Sequence, residues 1–237
     1  MTRIPGLALP CAAALMLWAG SYLRGDTGPD DAAHAVSADD GDLFGWLTDL
    51  RQLPLVQLRL ALPVPGRIAG LVGPPAAVQA ALQAGQALVV TAAGIADHTL
   101  VPESERWARF PAPIGAQLPP PVSSGTAREQ LLHALRDAAR TSADLDLVPE
   151  EPIAPGTLPE GWIHAEPPRR LSAADAHLLE LAGRLLVLSA QEIDAGPAQA
   201  RALAEEQARR RVLEQLRDAA REALIETVER AADISAR

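Results

Sequence analysis

The 237-residue sequence contains no lysine and no asparagine, and all 21 of its basic side chains are arginine. Codons for both missing residues are AT-rich, so their absence points to a GC-rich bacterial genome, which is a statement about codons and not about chemistry. A single cysteine, Cys11, rules out an intramolecular disulfide and leaves no cysteine cluster for zinc. Seven aromatic residues are too few for a platform that stacks unpaired bases. Positive charge is also scarce: the formal net charge is −9, whereas a nucleic-acid binder needs a basic surface to displace counterions from phosphates. A nucleic-acid partner is therefore not expected.

Motifs for catalysis are missing as well. There is no Gly-x-Ser-x-Gly elbow. The five histidines are His34, His98, His133, His164 and His177, and no two of them stand at the i, i+4 spacing that puts two metal ligands on one helix face. His133 and His177 fall in helical patterns among apolar residues, where partly buried structural histidines are expected. The acidic pairs Glu150-Glu151 and Glu205-Glu206 fall on expected surface, where nothing would tune them as acid and base. No catalytic residue, metal or cofactor is assigned, and the sequence leans away from an enzyme.

Enough is present to fold. The apolar fraction is 48% and the charged fraction 22%, which gives the chain apolar surface to offset its conformational entropy. Twenty uncharged residues, 4–23, lie between Arg3 and Arg24. Their length suits a membrane span or a signal peptide, but Pro5, Pro10 and many small residues weaken both readings, and the flanking arginines fix no orientation. The other reading is a buried helix from about Pro10 to Arg24, closed by Gly25. The two readings imply different locations: an exported or anchored protein, or a cytoplasmic one.

Further along, Thr27 is expected to cap a short helix from Pro29 to about Val36, followed by a solvated acidic loop at Asp39–Asp42. Helical spacing of Leu43, Trp46, Leu47 and Leu50 predicts a helix over 42–53. Alternation through Val56, Leu58, Leu60 and Leu62 predicts a strand. A helix over 75–84 closed by Gly85 and a second strand over 86–92 come next, with a right-handed crossover if the two strands are parallel. A weak strand signal covers Thr99–Val101. The proline-rich run 111–121 reads as a linker, and a second one, 149–168, as an irregular strap anchored by Trp162.

Capping spacing at Thr126–Glu129 and Ser172–Asp175 opens two helices in the second half. A last helix starts at Gly196-Pro197 and runs to about Ala232. Its stripe is Leu213, Leu216, Ala220, Leu224 and Val228, and its many Arg and Glu side chains read as a solvated face. That stripe could also support a homo-oligomer. Gly66, Arg67, Gly70 and Gly73, lying between a strand and a helix, form the one candidate ligand loop, because glycines let backbone amides approach an anion. Pro74 and Pro75 remove amides that a phosphate would use, so a purely conformational role is the stronger reading of the loop.

The strings ALMLWAGSYLRG (14–25), LRLALPVPG (58–66), GLVGPPA (70–76), ALQAGQALVV (81–90) and LVPE (100–103) together resemble a family of uncharacterised proteins from high-GC bacteria. The resemblance covers about Leu9 to Glu103. It implies a soluble protein with the first apolar segment in the core, and it implies no activity. Arg67, where that family has an acidic residue, and the region of Trp107 depart from it.

These readings combine into an α+β protein. An α+β domain over 1–121, a small sheet with packed helices, is followed by a mainly helical region over 122–237, the two packing as one unit or as two. The expected function is non-enzymatic: an accessory or regulatory cytoplasmic protein that works through contact with a protein partner. The alternatives are a small-molecule or anion binder, or an enzyme, using the Gly66–Gly73 loop, and an exported or membrane-anchored protein.

Overall fold

Proline at position 10 cannot donate a backbone hydrogen bond, so it suits the last residue before a helix. In the computed structural model, helix α1 starts immediately after it. The structure describes residues 6–36, 41–68, 70–104, 106–118, 126–144, 157–194 and 203–234. Its elements in chain order are β1 (Leu7–Pro10), α1 (Cys11–Arg24), α2 (Pro29–His34), α3 (Gly41–Leu50), β2 (Gln57–Ala61), α4 (Pro75–Ala84), β3 (Ala87–Ala92), β4 (Ile95–Pro102), β5 (Trp107–Pro111), α5 (Ala127–Asp144), β6 (Trp162–Ala165), α6 (Ala173–Asp194) and α7 (Leu203–Ala232). The fold is α+β.

Helix α1 is apolar all round and lies in the centre of the core, with Leu15, Met16 and Leu17 all buried. Burial of each such side chain contributes about 1.5–3 kcal/mol. Gly25 ends the helix at φ 83°, its amide bonding the Tyr22 carbonyl while Asp26 N–H bonds Ser21. Among the described residues no helix is long and apolar enough to cross a membrane.

Four antiparallel strands form the larger sheet in the order β2-β3-β4-β5. Because β2 and β3 are antiparallel, the crossover rule for parallel strands does not apply to the α4 connection between them. Between β3 and β4, Ala93 and Gly94 both take positive φ, 50° and 81°, as a two-residue hairpin turn requires. Thr91 faces Ala96 while Val90 faces His98, which leaves Asp97 as the extra residue of a β-bulge. Strand β5 was not expected, and β4 is longer than Thr99–Val101.

The smaller sheet pairs β1 with β6, Leu7 opposite Ala165 and Pro10 opposite Trp162. Leu7–Pro10 was read as part of an apolar run and Trp162–Ala165 as irregular strap; both are strands, because each supplies the backbone partners the other needs. Gly183 of α6 lies against the Ala8 carbonyl, and a Cβ there would collide with it.

Both halves of the chain contribute to one large apolar cluster, while Ala61, Ala81, Ala87 and Val101 form a smaller one. Leu43, Leu47 and Leu50 of α3, Leu179, Ala182 and Leu186 of α6, and Leu216, Ala220, Leu224 and Val228 of α7 all belong to the cluster around α1. Four of the five stripe residues of α7 are thus buried within the chain, and Leu213 is half-buried. The charged face of α7 departs from the solvated reading: Arg221 and Glu226 are buried, and Arg209 reaches Glu192 of α6 at 2.5 Å. Arg221 tolerates burial by pairing with Asp218 one turn earlier.

Two caps differ in outcome. The Ser172 hydroxyl accepts from the Asp175 amide at 3.0 Å, as an N-cap does, and donates to the Asp175 carboxylate at 2.8 Å in place of the reciprocal backbone bond of a capping box. By contrast, Gly28 and not Thr27 is the N-cap of α2. Residues 39–40, 119–121, 149–156 and 196–197, on which parts of the acidic loop, the two proline-rich segments and the start of the last helix were expected, lie outside the described residues.

Candidate functional site

A cleft of about 820 Å³ opens between the β4–β5 turn and the start of β6. Trp107 lines it from β5 and Trp162 from β6, while Asp42 and Leu43, at the start of α3, supply another part of its wall. Arg106 and Glu103 sit on its rim, joined at 2.8 Å across a turn closed by the bond from Glu103 N–H to the Arg106 carbonyl.

Cys11 and Gln86 also line this cleft. Gln86 is buried at the head of β3 and braces three elements at once. Its Oε1 accepts from the Ala12 amide at 2.9 Å and faces the Cys11 thiol at 3.5 Å. Its Nε2 donates to the Gly161 carbonyl at 2.7 Å, and that carbonyl also accepts from Cys11 N–H at 2.9 Å. The brace satisfies an amide in the first turn of α1, where intrahelical partners are lacking. Gly161 is required: its φ is +73°, and a Cβ would stand 2.6 Å from Gln86 Nε2. Burial pushes the Cys11 thiol up to about 12, against the opposing pull of backbone amides, so the thiol stays protonated and is a poor nucleophile. A lone polar residue opening the apolar run QALVVTA is the only sequence signal for Gln86.

The other buried polar cluster centres on His98, which is 2% exposed. The Asp97 bulge brings its Oδ2 within 2.6 Å of His98 Nδ1. On the other side, Trp46 of α3 donates its indole N–H to His98 Nε2 at 2.8 Å. An indole nitrogen can only donate, so Nε2 is the acceptor and Nδ1 carries the proton toward Asp97, the nearer of its two neighbours; the Arg109 guanidinium, also only a donor, lies 3.4 Å from Nδ1. Arg109 of β5 lies 3.6 Å from both Asp97 and Asp49. Burial holds the His98 pKa below its ordinary value; the hydrogen bond to Asp97 opposes this and the charge of Arg109 reinforces it. An Asp–His pair is the geometry of a general base, but here the basic nitrogen is capped and sealed from solvent. The buried histidine is thus His98 on a strand, whereas His133 and His177, expected among apolar residues, are exposed on α5 and α6, His133 facing Asp137 at 3.1 Å.

The glycine loop lies elsewhere. Gly66 and Gly70 adopt positive φ, 81° and 90°, and at Gly73 a Cβ would stand 2.8 Å from the Ala77 methyl. Arg67 points to α7, paired with Glu222 and 3.4 Å from Asp218. An anion at this loop would have to compete with both carboxylates. Among the described residues no three His, Cys, Asp or Glu side chains converge as a metal shell.

Residues 12–124 match a family model described as the Rv1486c-like protein, N-terminal domain. This stretch contains most of the segment over which the resemblance was noted. It holds Gln86, His98 and Trp107, whereas the β6 side of the cleft falls outside it. No curated protein and no solved structure matches the chain.

Proposed function

We propose that this is a non-enzymatic protein with an accessory or regulatory role, which acts by seating a segment of a protein partner in the cleft between the β4–β5 turn and β6. The observation that carries this reading is the cleft itself, large enough for several side chains and bordered by two of the four tryptophans. Indoles supply large contact area at little entropic cost and dominate many interfaces. Two of the polar groups in the cleft have structural work: Gln86 is braced and Cys11 is held as a neutral thiol. The lining carries the carboxylates Asp42, Glu103 and Glu160 against the single guanidinium of Arg106, which suits a segment bearing basic side chains.

We read the compartment as the cytoplasm. Support comes from α1, which is buried beneath α7 and the sheet; cleavage after residue 23 would remove both β1 and most of the central helix.

A photo-crosslinking side chain at the exposed rim position Ser104, introduced in the native host, tests the reading. It is expected to yield one discrete protein adduct, which Trp107→Ala abolishes while leaving the melting temperature within a few degrees of wild type. Absence of a protein adduct, or an adduct indifferent to Trp107→Ala, would overturn it.

A further inference from the structure

A buried polar contact, from the Trp46 indole to His98, joins helix α3 to the sheet. Trp46 and His98 meet edge to face, their ring planes 87° apart, with the indole N–H aimed at the imidazole lone pair. That lone pair exists only while His98 is neutral. Protonation would place a second hydrogen on Nε2, directed at the indole N–H, and turn the bond into a donor–donor collision. The Nδ1–H bond to Asp97 would survive, so the break falls on the α3 side. We propose that His98 is a proton-operated latch on α3, and through α3 on the cleft wall formed by Asp42 and Leu43.

The charged groups around the imidazole come from three elements. Asp97 on β4 favours the protonated ring, and Arg109 on β5 opposes it. Asp49 on α3 favours protonation and lies 3.6 Å from Arg109. That second polar link between α3 and the sheet is half-exposed, where ion pairs contribute little. It cannot substitute for the buried bond. The link to the cleft is short in sequence: Asp42 and Leu43 lie one turn before Trp46 on the same helix. A shift of α3 therefore moves cleft wall directly. The consequence for binding rests on the proposed role of the cleft; the latch itself does not.

Hydrogen exchange of the full chain, read as protection factors between pH 7 and pH 5, tests the latch without any partner. Amides of α3 are expected to lose protection as pH falls below the free imidazole range, by up to about tenfold per pH unit, while α6 stays protected. His98→Gln keeps an acceptor oxygen but does not titrate, and should hold α3 protection constant. Trp46→Phe removes the donor and should give weak α3 protection at both pH values, with no step between them. Equal protection of α3 at pH 7 and pH 5 overturns the latch. So does loss of α3 protection in step with α6, or an acid loss that persists in His98→Gln. A missing Ser104 adduct alongside an intact exchange step refutes the cleft reading alone.

Discussion

Single polar side chains tie distant parts of this chain together, and Gln86 is the clearest case. Its amide joins the head of β3 to the first turn of α1 and to Gly161, 75 residues away. Replacing it by alanine strips the Ala12 amide of its acceptor in a buried place. Such an orphaned group costs about 1–3 kcal/mol, so Gln86→Ala should lower the urea midpoint by a corresponding amount without changing the slope of the transition. Residues whose role is local were legible in the sequence: Gly25 and Gly85 end their helices in the left-handed conformation as read. Gln86 and His98 were not, because their roles depend on which distant group the fold brings to them. The histidines that looked structural, His133 and His177, sit on exposed helix faces, since an apolar neighbour in sequence is not a neighbour across a helix.

Elements were readable where periodicity and a terminator coincided. Helix α4 occupies Pro75–Ala84, and α1 stops at Arg24 before Gly25, both as the sequence indicates. The N-cap at Ser172 is another such signal, and Ser172→Ala should cost about 1 kcal/mol, seen as a lower melting temperature. The loss should be local as well, with earlier exchange of the first amides of α6. Short strands were harder. β1 and β6 have four residues each, too few for alternation to register, and β1 runs without a break into the apolar helix. The strand β5 hides for a different reason: its sequence, WARFP, ends in a proline that looks like the start of the linker. The candidate cleft was illegible for the same cause, since two of its borders are β5 and β6. The candidate loop, in contrast, was visible as a glycine pattern, and the structure engages its arginine with α7.

At the scale of the whole molecule, stability depends on pH through the buried His98 and the half-buried Glu229, which act in opposite directions. His98 titrates below its ordinary value, so the unfolded chain takes up its proton first as acid is added. Its contribution is complete above about pH 6.5 and is lost as pH falls through the folded value. Glu229 of α7, which accepts from Arg59 at 3.1 Å and from Leu60 N–H at 3.2 Å, is pushed up by burial against the pull of Arg59. Its folded form keeps a proton that the unfolded chain has released, so its contribution declines as pH rises above the free glutamate range. Denaturation between pH 5 and pH 7 should therefore show the rise with pH flattened by His98→Gln and steepened by Glu229→Gln.

Gly20 of α1 sits against the last turn of α7, where a Cβ would stand 2.6 Å from the Ala232 carbonyl, and nearby Arg24 donates to the carbonyl of Ala231, 207 residues further along the chain. During translation at about 5–20 residues per second, roughly 10–40 s separate the synthesis of these two surfaces. For that interval α1 emerges from the ribosome without the cover that α7 provides. The α1 side of the core can therefore close only after α7 has cleared the exit tunnel.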